Sequence, residues 1–182
     1  MKAAMIDIET LATDRRAHIL SIGAVRFDPY GGSVRIADLL PGFYRAATPY
    51  QPGRTVAAET ALWWMQQSEE ARLHVSAPKD AQELAVVLDH LRQYLRSTEE
   101  VWSHGSTFDL PILRDAYEQV GMKCPWHYRD ERDTRTIFAL SKQFGASGEW
   151  PEENLLKHHP TSDAAVQAVA IAWAIAKLKG AE

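Results

Sequence analysis

The stretch at positions 3–10, AAMIDIET, constrains the fold of this chain more than any other feature, because an apolar run ends in two closely spaced carboxylates. The run is typical of a β-strand, in which alternate side chains share a face. Asp7 and Glu9 therefore project side by side, while Ile6 and Ile8 point to the opposite face. Two adjacent anions repel one another and are costly to desolvate. Either the strand lies at a solvated edge, or a divalent cation compensates the charge.

The pattern after this strand predicts an α/β fold with a mixed sheet. Two further strands, HILSIGAVRFDP and GFYRAAT, lie either side of a YGGS turn, which favours antiparallel pairing of the first three strands. Later strands at EVWSHGS and RDERDTRT alternate with helices, as in a sheet flanked by helices. Helices are predicted over 60–74, 80–96, 108–120, up to Gly145 and over 162–179. No linker or repeat interrupts the pattern, so we expect residues 1–182 to form one domain.

The composition narrows the class of protein. The single cysteine, Cys124, cannot form an internal disulfide, which favours a reducing cytoplasm and leaves no case for structural zinc. The start MKAAMIDIET lacks the features of a signal peptide, and the most apolar run, AAVQAVAIAWAIAKL, is too short to span a bilayer, so we expect no membrane association. The net charge of −4 argues against an extensive nucleic-acid surface. Two bound divalent cations would cancel that charge at a site that holds only a strand end.

Three more residues are candidates for the same site. Asp109 lies in the first turn of a predicted helix, and Asp163 lies near the start of the last helix, where we expect Thr161 or Ser162 to be the cap. Taken alone, Asp109 is explained equally well as a residue that stabilises a helix start, and Asp163 is explained better as a residue of the cap region than as a ligand. His158 lies five residues before Asp163. An imidazole beside carboxylates is a candidate general base, because its ordinary pKa is about 6.5.

The last helix is expected to bring Asp163 to the sheet. Positions three, four, seven and eleven residues after Asp163 share its helical face. They hold mostly small residues, namely Val166, Gln167, Ala170 and Ala174. Such a face can lie close to the sheet, so we expect Asp163 to approach Asp7.

Three motifs, DIET, GSTFD and HHPTSDA, occur in an order and spacing that resemble the DEDDh 3′→5′ exonucleases of the ribonuclease H-like superfamily. The resemblance covers essentially the whole chain. The opening DIETLATDRRAHILSIGAVRFDP, the WW pair and RDTRT are similar to the small bacterial and phage members. The resemblance implies a ribonuclease H-like fold with four metal ligands, Asp7, Glu9, Asp109 and Asp163, and a general base, His158. His159 competes for that role by proximity, but only His158 has the family's spacing.

The resemblance also implies an activity. The expected reaction is hydrolysis of single-stranded RNA or DNA from the 3′ end to nucleoside 5′-monophosphates, with two divalent cations, Mg²⁺ or Mn²⁺. We expect RNA to be preferred over DNA, and the family allows a homodimer. Pro160 and Thr161 depart from the wider family, which often has Ala and a Leu-like residue there. Two alternatives stay open, namely a non-catalytic module that binds nucleic-acid ends and a phosphodiesterase acting on very short oligonucleotides.

Four residues are candidate contacts to the terminal nucleotide. By resemblance, Thr10 and Leu11 border it, and Phe108 offers an apolar ring on which a base can stack. Trp63 and Trp64 point about 100° apart on a helix, so one can face the core and the other the substrate. Of the two, Trp63 is the candidate substrate contact.

The stretch YRDERDTRT interleaves Arg129, Arg132 and Arg135 with three acids. Its simpler interpretation is a solvated run whose charges neutralise one another. The functional interpretation is a clamp for backbone phosphates or a contact between subunits.

Overall fold

A mixed five-stranded sheet forms the centre of the fold. The structure, a computed structural model, describes residues 2–32, 34–76, 78–145 and 155–180. The strands are β1 (Ala3–Thr10), β2 (Ile19–Phe27), β3 (Phe43–Ala46), β4 (Glu100–Ser103) and β5 (Glu131–Asp133). Their order is β3-β2-β1-β4-β5, with β1, β2 and β3 antiparallel and with β4 and β5 parallel to β1. This topology confirms the predicted mixed sheet with antiparallel first three strands.

Helices flank the sheet. They are α1 (Ile36–Leu39), α2 (Ala58–Met65), α3 (Glu69–Ser76), α4 (Leu84–Tyr94), α5 (Asp109–Gln119), α6 (Thr134–Gln143) and α7 (Pro160–Leu178). A 3₁₀ turn at Tyr128–Asp130 precedes β5. Within the described ranges, none of these helices has both the length and the apolar character that crossing a bilayer requires.

β1 is a central strand that is covered on both faces. On one face Ile6 and Ile8 join a core that includes Leu88 of α4 and Leu110 of α5. On the other face Met5 belongs to a second core together with the alanines and isoleucines of α7. A solvated edge strand is therefore the wrong interpretation of AAMIDIET. Asp7 and Glu9 lie in the interior of the sheet, where their charges need a partner.

Two predicted helices have different bounds in the structure. The segment predicted as one helix over 60–74 forms two helices, because Ser68 starts a new turn by accepting the backbone N–H of Ala71 at 3.2 Å on its Oγ. The helix predicted over 80–96 begins only at Leu84. The backbone N–H of Gln82 donates to the carbonyl of Ala46 at 3.0 Å, so the pairing with the end of β3 prevails over helix propensity.

The start of α7 is held tightly against the sheet. The predicted caps are wrong: α7 begins at Pro160 with His159 as its N-cap residue, ahead of both Thr161 and Ser162. The Oγ1 of Thr161 donates to a backbone carbonyl of β3 at 2.7 Å. A Cβ on Gly23 of β2 would lie 2.2 Å from the carbonyl carbon of Pro160, so only glycine permits this approach. These contacts determine where the residues around the helix start lie relative to β1.

Candidate active site

One cleft brings together the five residues predicted as metal ligands and general base. It has a volume of about 410 Å³ and opens where the end of β1 meets the starts of α5 and α7. Its lining consists of Asp7, Ile8, Glu9, His104, Phe108, Asp109, Lys157, His158, Asp163, Val166 and Gln167. A cleft of this size accommodates a small ligand such as a nucleotide.

The two carboxylates of β1 share this cleft with further acids. Burial, followed by the charges of Asp109 and Asp163, raises the pKa of Asp7 well above its usual range. Burial also raises the pKa of Glu9 to about 10, with the charge of Asp7 as the next cause. Gln167 partly offsets this at Asp7, where its Nε2 donates to Oδ1 at 2.9 Å. The protein therefore packs anions together without enough neighbouring cations to stabilise them.

Asp109 is held at the first residue of α5, where only 3% of its surface is exposed. The backbone N–H of Ile8 donates to its Oδ1 at 3.2 Å, which joins the start of α5 directly to β1. Burial raises the pKa of Asp109 to about 7, while the hydrogen bond from Ile8 and the charge of Arg135 oppose the shift. The turn after β4 thus delivers a third carboxylate to the side chains of β1.

The start of α7 supplies Asp163 and His158. Burial raises the pKa of Asp163 to about 6, and the charge of Lys157 acts in the opposite direction. Glu9, His158 and Asp163 each have one atom that could bind a metal ion, a carboxylate oxygen or an imidazole nitrogen, and these three atoms lie within 4.8 Å of one another. When these carboxylates are ionised, they have too little positive charge nearby to balance them. Hard carboxylate oxygens at this spacing fit a divalent cation such as Mg²⁺ or Mn²⁺.

His158 has an unusual backbone conformation. Its φ is 60°, in the left-handed region that non-glycine residues seldom adopt and that often marks functional sites. Its ring meets the ring of Trp63 at 5.0 Å and that of Trp64 at 6.0 Å, both edge to face. Burial lowers the pKa of His158, and Lys157 lowers it further, so the neutral imidazole is favoured. A neutral imidazole beside the carboxylates can accept a proton.

The neighbouring His159 has different surroundings. Its ring stacks on His74 at 4.3 Å and on Tyr44 at 4.9 Å, and it does not line the cleft. Burial, followed by the charge of His74, lowers its pKa to about 4. His158 is thus the histidine of this pair that faces the carboxylates.

The predicted nucleotide contacts divide into two groups. Phe108 lines the cleft, and Trp63 borders it through His158 with 41% of its surface exposed. Thr10 is buried, and its Oγ1 donates to a backbone carbonyl at 2.7 Å. Leu11 lines a separate, largely apolar cleft. Trp64 is buried, and its Nε1 donates to the carbonyl of Thr10 at 2.9 Å, so it is the tryptophan that faces the core.

Three polar residues line the cleft without having been predicted as site residues, namely Gln167, His104 and Lys157. Gln167 lies four residues, about one helical turn, after Asp163. This spacing in the sequence could have predicted that its side chain reaches the same carboxylates. Its buried Oε1 has no hydrogen-bond partner among the residues that the structure describes. His104 and Lys157 carry no comparable pattern, because their positions depend on turns.

Solved nuclease structures share this fold at low sequence identity. The crystal structure of cell-death related nuclease 4 (CRN-4) has a TM-score of 0.64 at 13% identity, covering 98% of this chain and 64% of that chain. S. pombe Pop2p, in its Mg²⁺- and Mn²⁺-bound form, has a TM-score of 0.61 at 15% identity, covering 98% and 84%. The nuclease domain of 3′hExo, a DEDDh family member bound to rAMP, has a TM-score of 0.57 at 13% identity, covering 99% and 93%. This likeness confirms the predicted ribonuclease H-like fold.

Sequence comparison identifies the family. The exodeoxyribonuclease of Enterobacteria phage T4 is 27% identical in an alignment over 128 residues that covers 64% of this chain and 56% of the phage protein. The chain thus spans little more than half the length of this relative. Residues 2–175 match the family described as the 3′-5′ exoribonuclease Rv2179c-like domain. That match extends from β1 to the last turns of α7, so it includes every element that contributes to the cleft, and the chain belongs to the family of Rv2179c-like 3′-5′ exoribonuclease domains.

Proposed function

We propose that the chain, as a single domain over 1–182, is a metal-dependent 3′→5′ exonuclease that releases nucleoside 5′-monophosphates from single-stranded nucleic acid. The observation that carries this proposal is the convergence of four acids and one histidine from three separate parts of the chain in one cleft. In the proposed site, Asp7, Glu9, Asp109 and Asp163 hold two divalent cations, Mg²⁺ or Mn²⁺.

Each side chain has a defined task in the proposed reaction. When bound, the two cations would activate the attacking water and stabilise the departing 3′-oxygen. His158 accepts the proton of the attacking water, and its lowered pKa keeps it in the required neutral form. Gln167 holds one oxygen of Asp7 in place, which fixes how that carboxylate faces the cleft. Trp63, which is exposed, and Phe108, which is partly buried, offer aromatic surface against which the terminal base can rest.

The family description supports RNA as the preferred substrate, because it is that of an exoribonuclease. The phage relative is described as an exodeoxyribonuclease, so DNA is the substrate against which this preference must be measured. We place the activity in the cytoplasm, since a chain with one cysteine gains nothing from an oxidising compartment. A homodimer is the assembly that the family resemblance favours, and light scattering on the purified chain tests it.

The decisive experiment incubates purified protein with single strands labelled at the 3′ or the 5′ end, RNA beside DNA, in Mn²⁺ or Mg²⁺. We expect the 3′ label to leave at once as a mononucleotide, the 5′-labelled strand to shorten stepwise, and EDTA to stop both. Asp7→Asn should be inactive. Asp38→Asn, which removes an exposed acid of α1 paired with Arg35, should retain activity. Undiminished hydrolysis by Asp7→Asn would contradict the proposed site.

The role of His158 requires a separate measurement. The spacing of its nitrogen from Glu9 and Asp163 is also compatible with a metal ligand. As a general base, His158→Ala should lower kcat while calorimetric Mn²⁺ affinity stays close to that of the wild type. A collapse of Mn²⁺ affinity in this variant would instead make His158 a ligand.

The volume of the cleft favours one second candidate, a phosphodiesterase of very short oligonucleotides. About 410 Å³ suits one or two nucleotides rather than a long strand. Comparing kcat/KM for a dinucleotide and for a longer strand separates the two functions. Binding of strand ends without any hydrolysis would favour the third interpretation, a non-catalytic end-binding module.

A further inference from the structure

The arginine at the second residue of α6 lies against the turn that leads into the cleft. A Cβ built on Gly105 would lie 3.0 Å from Nη1 of Arg135, so the guanidinium packs on the backbone of that turn. Gly105 has a φ of 103°, which favours glycine at this close approach. Asp109, four residues after Gly105, is one of the proposed metal ligands. A fixed positive charge therefore lies beside the entrance to α5.

The three arginines of YRDERDTRT differ in their partners. Arg132 forms an ion pair with Glu100, with Nη2 and Oε1 separated by 3.2 Å. Arg129 donates from Nε to the hydroxyl of Tyr128 at 3.1 Å and lies over that ring. For Arg135, no ion pair with a carboxylate occurs among residues 2–32, 34–76, 78–145 and 155–180. The interpretation as a self-neutralising charge run thus fits Arg132 but not Arg135.

The acid nearest to Arg135 in sequence is already used by other donors. Asp133 accepts the backbone N–H of Ser106 at 3.1 Å and its hydroxyl at 3.2 Å on Oδ2. Its Oδ1 accepts the backbone N–H of Arg135 at 2.8 Å, as the N-cap of α6. These bonds hold the turn and the start of α6 together as one unit. The side chain of Arg135 is presented on a rigid support rather than on a mobile loop.

The charge of Arg135 reaches the cleft. Its guanidinium packs on Gly105, the residue that follows His104, and His104 lines the cleft. His104 is itself held by a contact of 2.8 Å between its Nδ1 and Oγ1 of Thr134, the first residue of α6. Arg135 therefore places a positive charge beside the His104 wall of a cleft whose floor is acidic.

We propose that Arg135, at the His104 wall, binds the backbone phosphate of the substrate strand one linkage to the 5′ side of the scissile bond. This inference rests on the proposed function, since that function directs the scissile phosphate to the carboxylates. The turn around Gly105 separates the guanidinium from those carboxylates. The phosphate that Arg135 would contact is therefore the neighbouring one in the strand and not the scissile one. A planar guanidinium is well suited to a phosphate, which it can contact through two N–H groups. A positive charge beside the cleft also attracts a polyanionic strand.

The test compares Arg135→Ala with Arg129→Ala, a matched control that removes an exposed arginine of the same stretch. The substrates are a dinucleoside monophosphate, whose one phosphate is scissile, and a hexanucleotide, with and without an uncharged methylphosphonate at the next linkage. We expect Arg135→Ala to lower kcat/KM about tenfold on the hexanucleotide and to leave the dinucleoside monophosphate unaffected. The methylphosphonate should lower wild-type kcat/KM to a similar extent and should have little effect on Arg135→Ala. Arg129→Ala should behave as the wild type throughout.

Binding provides a readout that does not require turnover. Fluorescence anisotropy with the labelled hexanucleotide, in a His158→Ala background, should show about tenfold weaker binding after Arg135→Ala. The slope of log affinity against log salt concentration should fall by about 0.7, as expected for one lost phosphate contact to a single strand. Equal losses on both substrates, or an unchanged salt slope, would overturn the inference. A wild-type protein that binds the hexanucleotide through Arg135 but hydrolyses neither substrate would instead refute the proposed function.

Discussion

The charge of Asp109 should destabilise the protein when divalent cations are absent. Its pKa is raised from 3.8 to about 7, and each pKa unit corresponds to about 1.4 kcal/mol, so ionisation at pH 8 costs the folded state roughly 4 kcal/mol. Because the folded pKa lies above the unfolded one, the folded state binds more protons between these values. The contribution of Asp109 to stability is therefore complete below pH of about 4 and is lost as the pH rises through about 7.

Asp109→Asn tests this reasoning. Asparagine keeps an oxygen that can accept the N–H of Ile8, but it carries no charge. We expect the free energy of unfolding in EDTA at pH 8 to rise by about 2–4 kcal/mol, since the neutral acceptor makes a weaker hydrogen bond than a carboxylate. That gain corresponds to a Tm increase of about 5–10 °C for a chain of this size. The gain should shrink when the pH falls toward 4.

The assay is urea unfolding at pH 5 and pH 8, with EDTA or with excess Mn²⁺. Mn²⁺ should stabilise the wild type and have less effect on Asp109→Asn, because a ligand that binds only the folded state adds less stability when its affinity is lower. Asp38→Asn is the control for loss of one exposed acid, and it should change little. A lower stability of Asp109→Asn in EDTA at pH 8 would refute the claim that the buried charge is uncompensated.

Three further substitutions have distinct expected outcomes. Gln167→Leu removes the donor 2.9 Å from Oδ1 of Asp7 and should lower Mn²⁺ affinity or activity about 10–100-fold, measured by calorimetry and initial rates; unchanged values would show that this hydrogen bond is dispensable. Gly23→Ala places a Cβ 2.2 Å from the backbone of Pro160. It should lower the free energy of unfolding by about 1–3 kcal/mol and should also lower kcat, and an unchanged Tm would contradict the close packing. Trp63→Ala should weaken oligonucleotide binding by about 1–3 kcal/mol in anisotropy while Tm changes little, and an unaffected affinity would remove this residue from the substrate contacts.

The sequence allowed the sheet and the acidic residues to be predicted because both leave local patterns. The alternation in AAMIDIET indicates which side chains of β1 share a face, and the structure separates them into two cores accordingly. Asp109 and Asp163 could be placed at helix starts because helix boundaries have composition signals. What local pattern cannot supply is the distance between such elements. The order of β1 and β4 in the sheet brings Asp109 to Ile8, and it depends on long-range pairing.

The features missed from the sequence depend on tertiary contacts. Trp64 is the buried tryptophan because its Nε1 reaches the carbonyl of Thr10 in β1, while Trp63 contacts the ring of His158, and both contacts join segments that are far apart in the sequence. The bond from Gln167 to Asp7 requires a particular rotation of α7 over the sheet, which the alanine-rich face permits but does not specify. Such contacts arise from packing between elements, where local propensity has little influence.

Pro160 and Thr161, which depart from the pattern of the wider family, have a structural role here. Proline is well suited to the first residue of a helix, because its missing N–H would have no partner there. Its backbone lies on Gly23, and the hydroxyl of Thr161 bonds to the carbonyl of Phe43, so the first turn of α7 is attached to two strands at once. His158 lies two residues before Pro160, the first residue of α7, so the fixed start of this helix restricts where His158 can lie. The hydrogen bond from Thr161 to β3 is compatible with an imidazole held toward the carboxylates.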